Sequence, residues 1–311
     1  MTDQPNPSQY EQTDDYGHQM PDPDALQPAA LAWSIPAFGA EPLTRGLERL
    51  AKNGVGLAEL PGNRFGPDVG YDIPEIKKEL SDFGIQTAGI WGMFSFENSI
   101  ASRNPYARQR GVDYIKRNLE MAVELRADYF LIVPGTPGET ETDPVAPELA
   151  AETLKRVEYL FEDSGVKGCF MPMRAGESSF CHTLAEALDF LKVVGSNGIQ
   201  HLSPDIYALM GEESDLYELL KADALRFINL HIADSNRRGL GTGVLDLQKL
   251  ILALATGSFG GYITFNPVPD GEGGNPYALY DAKALDELVK RTVETWREAE
   301  GEVIADFKPR G

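Results

Sequence analysis

The densest chemistry in the chain lies in one stretch, Phe227-Ile228-Asn229-Leu230-His231-Ile232-Ala233-Asp234-Ser235-Asn236-Arg237. An apolar run there breaks abruptly into imidazole, carboxylate, amide and guanidinium. That is how a buried parallel strand reads when it delivers polar groups to one end of a sheet. Other apolar runs end in the same way. They bring Trp33 and Ser34, Glu59, Trp91 and Gly92, Pro134 and Gly135, Met171 with Arg174, Asp205, and Asn266 to their C-terminal ends. The loop after Met171 adds Glu177 and His182. Each of these residues also has a structural reading. His231 can be a core histidine, Asp205 a helix cap after Pro204, Asp234-Ser235-Asn236 a turn, and Glu59 a buried acid held by a cation. Arg174 and Arg237 can pair with Glu177 and Asp234. Converging on one face, the same groups make a ligand pocket.

Convergence requires a particular scaffold. From residue 30 onward, short apolar runs at 31–35, 56–60, 87–91, 129–133, 168–173, 199–204, 227–232 and 262–265 alternate with helical patterns. The helices fall at 42–52, 73–83, 105–126, 147–163, 184–194, 213–222, 247–255 and 281–299. Alternating units of this kind call for parallel strands with helices outside them. Eight units at this length fit a (β/α)8 TIM barrel, whose strand C-termini gather around one pocket. No Gly-x-Gly-x-x-Gly follows the first run, which argues against a doubly wound open sheet. The expected organisation is a flexible acidic tail over 1–28, a single barrel domain over 29–302, and a C-terminal tail over 303–311. Residues 1–28 are rich in Pro, Asp, Gln and Tyr and carry few aliphatics, a composition that cannot bury a core.

With 48 acidic and 28 basic residues among 311, the formal net charge is −20. A phosphate-binding footprint needs clustered Lys and Arg, so nucleic acid and anionic membrane surfaces are poor partners. No apolar run approaches the roughly 20 residues of a membrane span. The N-terminus has neither a basic nor an apolar signal region. The two cysteines, Cys169 and Cys181, make no disulfide framework and lack a nearby base. These features point to a reducing cytoplasm. Neither Gly-x-Ser-x-Gly, His-Glu-x-x-His nor a Walker loop is present. Pro134-Gly135-Thr136-Pro137-Gly138 is Gly-rich, but its prolines make it a weak phosphate cradle.

Six motifs, in order and spacing, resemble the xylose-isomerase-like TIM-barrel superfamily, within it the sugar-phosphate isomerase/epimerase group that includes ketose 3-epimerases and hydroxypyruvate isomerases. They are Ala58-Glu59-Leu60-Pro61-Gly62, Phe130-Leu131-Ile132-Val133-Pro134-Gly135, Glu177-Ser178-Ser179-Phe180-Cys181-His182-Thr183, Asp205-Ile206-Tyr207-Ala208-Leu209-Met210-Gly211-Glu212-Glu213, Leu230-His231-Ile232-Ala233-Asp234-Ser235-Asn236-Arg237, and Gly260-Gly261-Tyr262-Ile263-Thr264-Phe265-Asn266-Pro267. The resemblance implies a divalent cation, Mn²⁺ or Mg²⁺, held by Glu, Asp, His and Glu from strands five to eight. It also implies that the two Glu shuttle a proton at the carbon beside a carbonyl. The Asp position maps to Asp205 and the His position to His231. The two Glu positions map to Met171, before Pro172, and Asn266, before Pro267. A further family His falls on Ala208.

A thioether is a poor ligand for a hard cation, and Asn can offer a carbonyl oxygen but no base. The resemblance therefore implies a partial metal site, Asp205 with His231, in a pocket for a small carbohydrate-like hydroxy-carbonyl ligand. Glu177, His231 and Asp205 are the candidate catalytic residues. Glu59, Trp91, Arg174, His182, Asp234, Arg237 and Asn266 are the candidate ligand contacts. Two uses compete: an isomerase or epimerase with a remodelled site, or a non-catalytic relative serving as a binding or partner subunit. Relatives of the group are often dimers or tetramers, so a homo-oligomer, or a hetero-oligomer with a paralogue, is expected.

Overall fold

The structure, a computed structural model, describes residues 28–35, 41–62, 72–92, 94–134, 143–271 and 280–307. The expected tail over 1–28 and the Pro134–Gly138 loop lie almost wholly outside these residues.

Eight short parallel strands form one sheet. They are β1 (Ala30–Ser34), β2 (Leu57–Pro61), β3 (Gln86–Trp91), β4 (Tyr129–Ile132), β5 (Lys167–Phe170), β6 (Ile199–Leu202), β7 (Asn229–Ile232) and β8 (Tyr262–Phe265). β1 to β6 pair in sequence order, β7 pairs with β8, and β8 pairs with β1. Between β6 and β7 the ladder is reduced to two parallel bridges, Leu202 with Phe227 and Asp205 with His231. Ile228 N–H donates to Leu202 O at 3.1 Å and His231 N–H to Pro204 O at 2.9 Å. Pro204 lacks an N–H and cannot return a bond. This seam closes the cylinder into the expected (β/α)8 TIM barrel.

Around it run α1 (Leu43–Lys52), α2 (Ile73–Phe83), α3 (Pro105–Leu125), α4 (Ala146–Lys155), α5 (Glu158–Ser164), α6 (Leu184–Val194), α7 (Ile206–Leu209), α8 (Leu216–Asp223), α9 (Leu247–Thr256) and α10 (Ala282–Phe307). Local chemistry sets their ends. Asp72, Asn104, Thr183 and Asp246 accept first-turn N–H bonds, and Thr183 with Glu186 forms a capping box. Gly84, Gly165 and Gly195 end α2, α5 and α6 in the left-handed conformation. The sequence predicts one helix over 147–163, but the chain breaks it at Arg156 and Val157, with Val157 and Phe161 both buried. The last helix continues past residue 302, because Val303 still packs on the core.

The barrel interior is polar at one level. Glu59 on β2 is in register with Gly89 on β3, which is in register with Tyr129 on β4. With no side chain on Gly89, the Tyr129 ring leans across it, and its hydroxyl donates to Glu59 Oε2 at 2.8 Å. A Cβ at Gly89 would lie 2.1 Å from a Tyr129 ring carbon. Gly89→Ala is therefore expected to lower stability by about 1–3 kcal/mol, the usual penalty of overpacking. Urea unfolding monitored by circular dichroism measures it; an unchanged midpoint would refute the packing argument.

Candidate functional site

Glu59 is fully buried, and four strands meet at its carboxylate. Ser34 Oγ on β1 donates to Oε1 at 2.8 Å, and Tyr129 on β4 donates to Oε2. His231 Nε2 on β7 lies 2.8 and 2.9 Å from the two oxygens. A buried carboxylate requires such donors, because without them desolvation would neutralise it. Burial and the Glu59 charge push the Tyr129 phenol well above its ordinary range, so it stays an O–H donor. Burial works against charge on His231, but Glu59 and, further off, Asp205 outweigh it and raise the imidazole above its usual value.

The other ring nitrogen, Nδ1, faces Asn266 Nδ2 at 3.2 Å, and the same nitrogen donates to Asp205 Oδ2 at 2.9 Å. Since Asn266 presents a donor, Nδ1 bears the lone pair in this arrangement and Nε2–H points at Glu59. Taking up a second proton would require the Asn266 amide to turn. Asp205 also caps the short turn α7, with its Oδ1 3.4 Å from Ala208 N–H. The Asn266 amide nitrogen faces Asp205 and His231, and its Oδ1 is enclosed with no hydrogen-bond donor.

These groups open into a cavity at the C-terminal end of the strands. Its wall includes Trp33, Trp91, Phe94, Val133, Met171, Met173 and Tyr207, with Glu177, Asp205, His231, Arg237 and Asn266 among its polar members. Trp91 meets His231 edge-on, with ring centroids 6.4 Å apart. Tyr207 was not singled out in the sequence, although it stands two residues after Asp205. Its ring lies under two guanidiniums, Arg174 at 5.2 Å and Arg237 at 5.4 Å. Arg174 also donates to the Tyr207 hydroxyl. Arg237 approaches Glu177 at 3.8 Å. Its backbone is left-handed, φ 61°, and is held there by N–H donation to Asp234 O at 2.7 Å. A non-glycine residue in that region is strained by roughly 1–3 kcal/mol, a feature concentrated at functional sites.

Two candidate ligand contacts are engaged elsewhere. Asp234 accepts from the N–H groups of Ser235, Thr242 and Leu245 at 2.7, 3.0 and 3.2 Å, and so shapes the loop after β7. His182 Nδ1 lies 3.0 Å from the Met173 carbonyl. Glu59, Arg174, His182 and Asp234 are not among the residues lining the cavity. Burial raises both thiols, Cys169 and Cys181, above their ordinary range, so neither offers a thiolate.

The residues present do not fit a hard divalent cation. Among the described residues, no three His, Cys, Asp or Glu side chains converge on one point. Asp205 and His231 share an N–H donor where ligands would share an ion, and buried Met171 offers only a soft thioether.

The profile of the xylose isomerase-like TIM barrel family matches residues 47–292, and the chain belongs to that family. It is 25% identical over 234 residues to a ketose 3-epimerase of Arthrobacter globiformis, covering 73% of this chain and 78% of that protein. It is 23% identical over 272 residues to an L-ribulose 3-epimerase of Mesorhizobium japonicum, covering 86% and 85%. A solved L-ribulose 3-epimerase superposes with a TM-score of 0.76 at 19% identity, over 90% of this chain and 99% of that one. No helix among the described residues is long and apolar enough to cross a membrane.

Tyr129→Phe leaves Glu59 one donor short and is expected to destabilise by about 1–3 kcal/mol, read by chemical denaturation. Asp234→Ala withdraws the acceptor of three loop amides. Faster hydrogen exchange over residues 235–245, with slow exchange preserved in β7, is the expected signature; uniform exchange rates in mutant and wild type would refute that role.

Proposed function

We propose that the cavity binds a small hydroxy-carbonyl compound, a sugar or sugar acid, and that the protein is an isomerase- or epimerase-class member of its family with a degenerate metal site. The observation that carries this reading is the placement of Glu177, Arg237, Asp205, His231 and Asn266 together on a cavity walled by Trp33 and Trp91 at the strand C-termini. Aromatic faces pack on the C–H surface of a sugar ring, while carboxylate, amide and guanidinium groups bond its hydroxyls. The ketose and ribulose 3-epimerases to which the chain is similar supply the substrate class.

Within that site Glu177 is the acid–base group closest in kind to what epimerisation requires. A carboxylate there can take the proton from the carbon beside the carbonyl, and inversion is completed when solvent water protonates the opposite face. Arg237, 3.8 Å from Glu177, bonds the developing enolate oxygen. His231, Asp205 and Asn266 form a fixed polar wall that orients the substrate hydroxyls. Asp234 positions Arg237, and His182 and Arg174 support the loop and Tyr207.

A second reading, a binding or partner subunit without turnover, is favoured by Met171 and Asn266. They stand where the resemblance puts the two proton-carrying Glu, and neither can act as a base.

The test is a screen of ketoses, beginning with D-fructose and L-ribulose, and of hydroxy-keto acids. Binding is followed by calorimetry, and turnover by solvent deuterium incorporation at the carbon beside the carbonyl. Turnover that Glu177→Gln lowers by about 10²–10⁴-fold, with binding weakened by Arg237→Ala, is the expected result. Binding without deuterium incorporation favours the subunit reading. Absence of binding to every carbohydrate would overturn both.

A further inference from the structure

The polar wall has a charge arrangement that explains the residue at 266. Glu59 receives Ser34 and Tyr129 hydroxyls and the His231 Nε2–H, and the Asn266 amide nitrogen 3.2 Å from Nδ1 makes that ring nitrogen the acceptor, through its lone pair. That lone pair and the Asp205 carboxylate face the same point, where two electron-rich groups repel unless something positive stands between them. A glutamate at 266 would add a third such group, and only a cation would reconcile them. An amide reconciles them alone. Asn266 Nδ2 lies 2.9 Å from Asp205 Oδ2 and 3.2 Å from His231 Nδ1, with one N–H available to each. The opposite turn of the amide would set Oδ1 against the carboxylate and the ring lone pair. The turn observed leaves Oδ1 enclosed without a donor, the lesser penalty.

We propose that the Asn266 amide stands in for the divalent cation: its NH₂ group bridges Asp205 and His231, closes the position an ion would occupy, and gives this barrel a ligand pocket organised by hydrogen bonds alone. The inference deepens the proposed function, resting on the reading that this cavity is the ligand site. It assigns Asn266 as a positioning residue. It also makes ligand binding indifferent to chelators, with Asp205 available to the ligand only through whatever capacity the bridge leaves free.

The test restores carboxylates. Full-length wild type, the isosteric Asn266→Asp and the double variant Met171→Glu/Asn266→Glu are stripped with a chelator and titrated with MnCl₂ by calorimetry. Their melting temperatures are followed with and without about 1 mM Mn²⁺, a condition under which any ligand specific to the folded state raises the midpoint. The wild type is expected to bind no Mn²⁺ and to melt at the same temperature in both conditions. The double variant is expected to bind about one equivalent, because added ligand charge raises cation affinity. Adding Asp205→Ala to the double variant should abolish that binding. If the double variant fails to fold, Asn266→Asp carries the test, melting lower than wild type without metal and regaining stability with it.

Stoichiometric Mn²⁺ binding by the wild type, lost in Asp205→Ala, would overturn the inference. So would the failure of folded carboxylate variants to bind, since the amide would then not be what excludes the ion. Sugar binding measured on chelator-treated wild type keeps the two readings apart. Its absence, with the metal results as expected, removes the proposed substrate and leaves the amide bridge standing.

Discussion

A carboxylate in the middle of a barrel is the constraint around which the rest is arranged. Glu59 is fully buried, and a carboxyl group without partners in such a place would be costly. It is tolerated because donors reach it from β1, β4 and β7, three strands distant in sequence but adjacent to the same space. Each donor is in turn fixed by its strand. Ser34 is in register with Glu59, Tyr129 reaches it over Gly89, and His231 comes from across the cylinder. The acid therefore sets the orientation of the imidazole, the imidazole sets that of Asn266, and Asn266 holds Asp205. The geometry of the pocket wall follows from one buried carboxyl group.

A second polar cluster lies beside this one. Thr264 donates to Asn229 Oδ1 at 2.6 Å, and Asn229 donates to Ser203 Oγ at 3.0 Å, linking β8, β7 and the end of β6. In the same way Asp234 gathers loop amides, and Gly243 lets the loop pass against its carboxylate. Buried polar groups here are satisfied in connected sets, and such sets specify one register of the strands.

The eight β/α units are legible in the sequence because each buried strand is a short apolar run that ends where polar residues begin, and because caps such as Asp72, Asn104 and Thr183 stand at helix starts. Convergence of Asp205, His231, Asn266, Glu177 and Arg237 is legible from the same rule about strand ends. The partner choices are not. Glu59 and His231 are 172 residues apart, and nothing local marks Tyr129 as anything but the first residue of an apolar strand. Which way an amide turns depends on the lone pairs around it, so the sequence places Asn266 at the pocket without showing that its nitrogen faces Asp205 and His231. Asp234 reads as a pocket acid because its three amide partners, in a loop of irregular backbone, leave no periodic trace.

The seam between β6 and β7 ties the closure of the cylinder to the pocket wall. Elsewhere the strands are stitched by longer ladders, but here two bridges flank a proline, and the outer one joins Asp205 to His231. The bridge between the strands and the side-chain bridge through Asn266 thus lie on the same two residues. The pocket is the clasp of the barrel: a molecule that grips Asp205 and the wall beside it also fastens the cylinder, and one that pulls them apart would loosen it along this line.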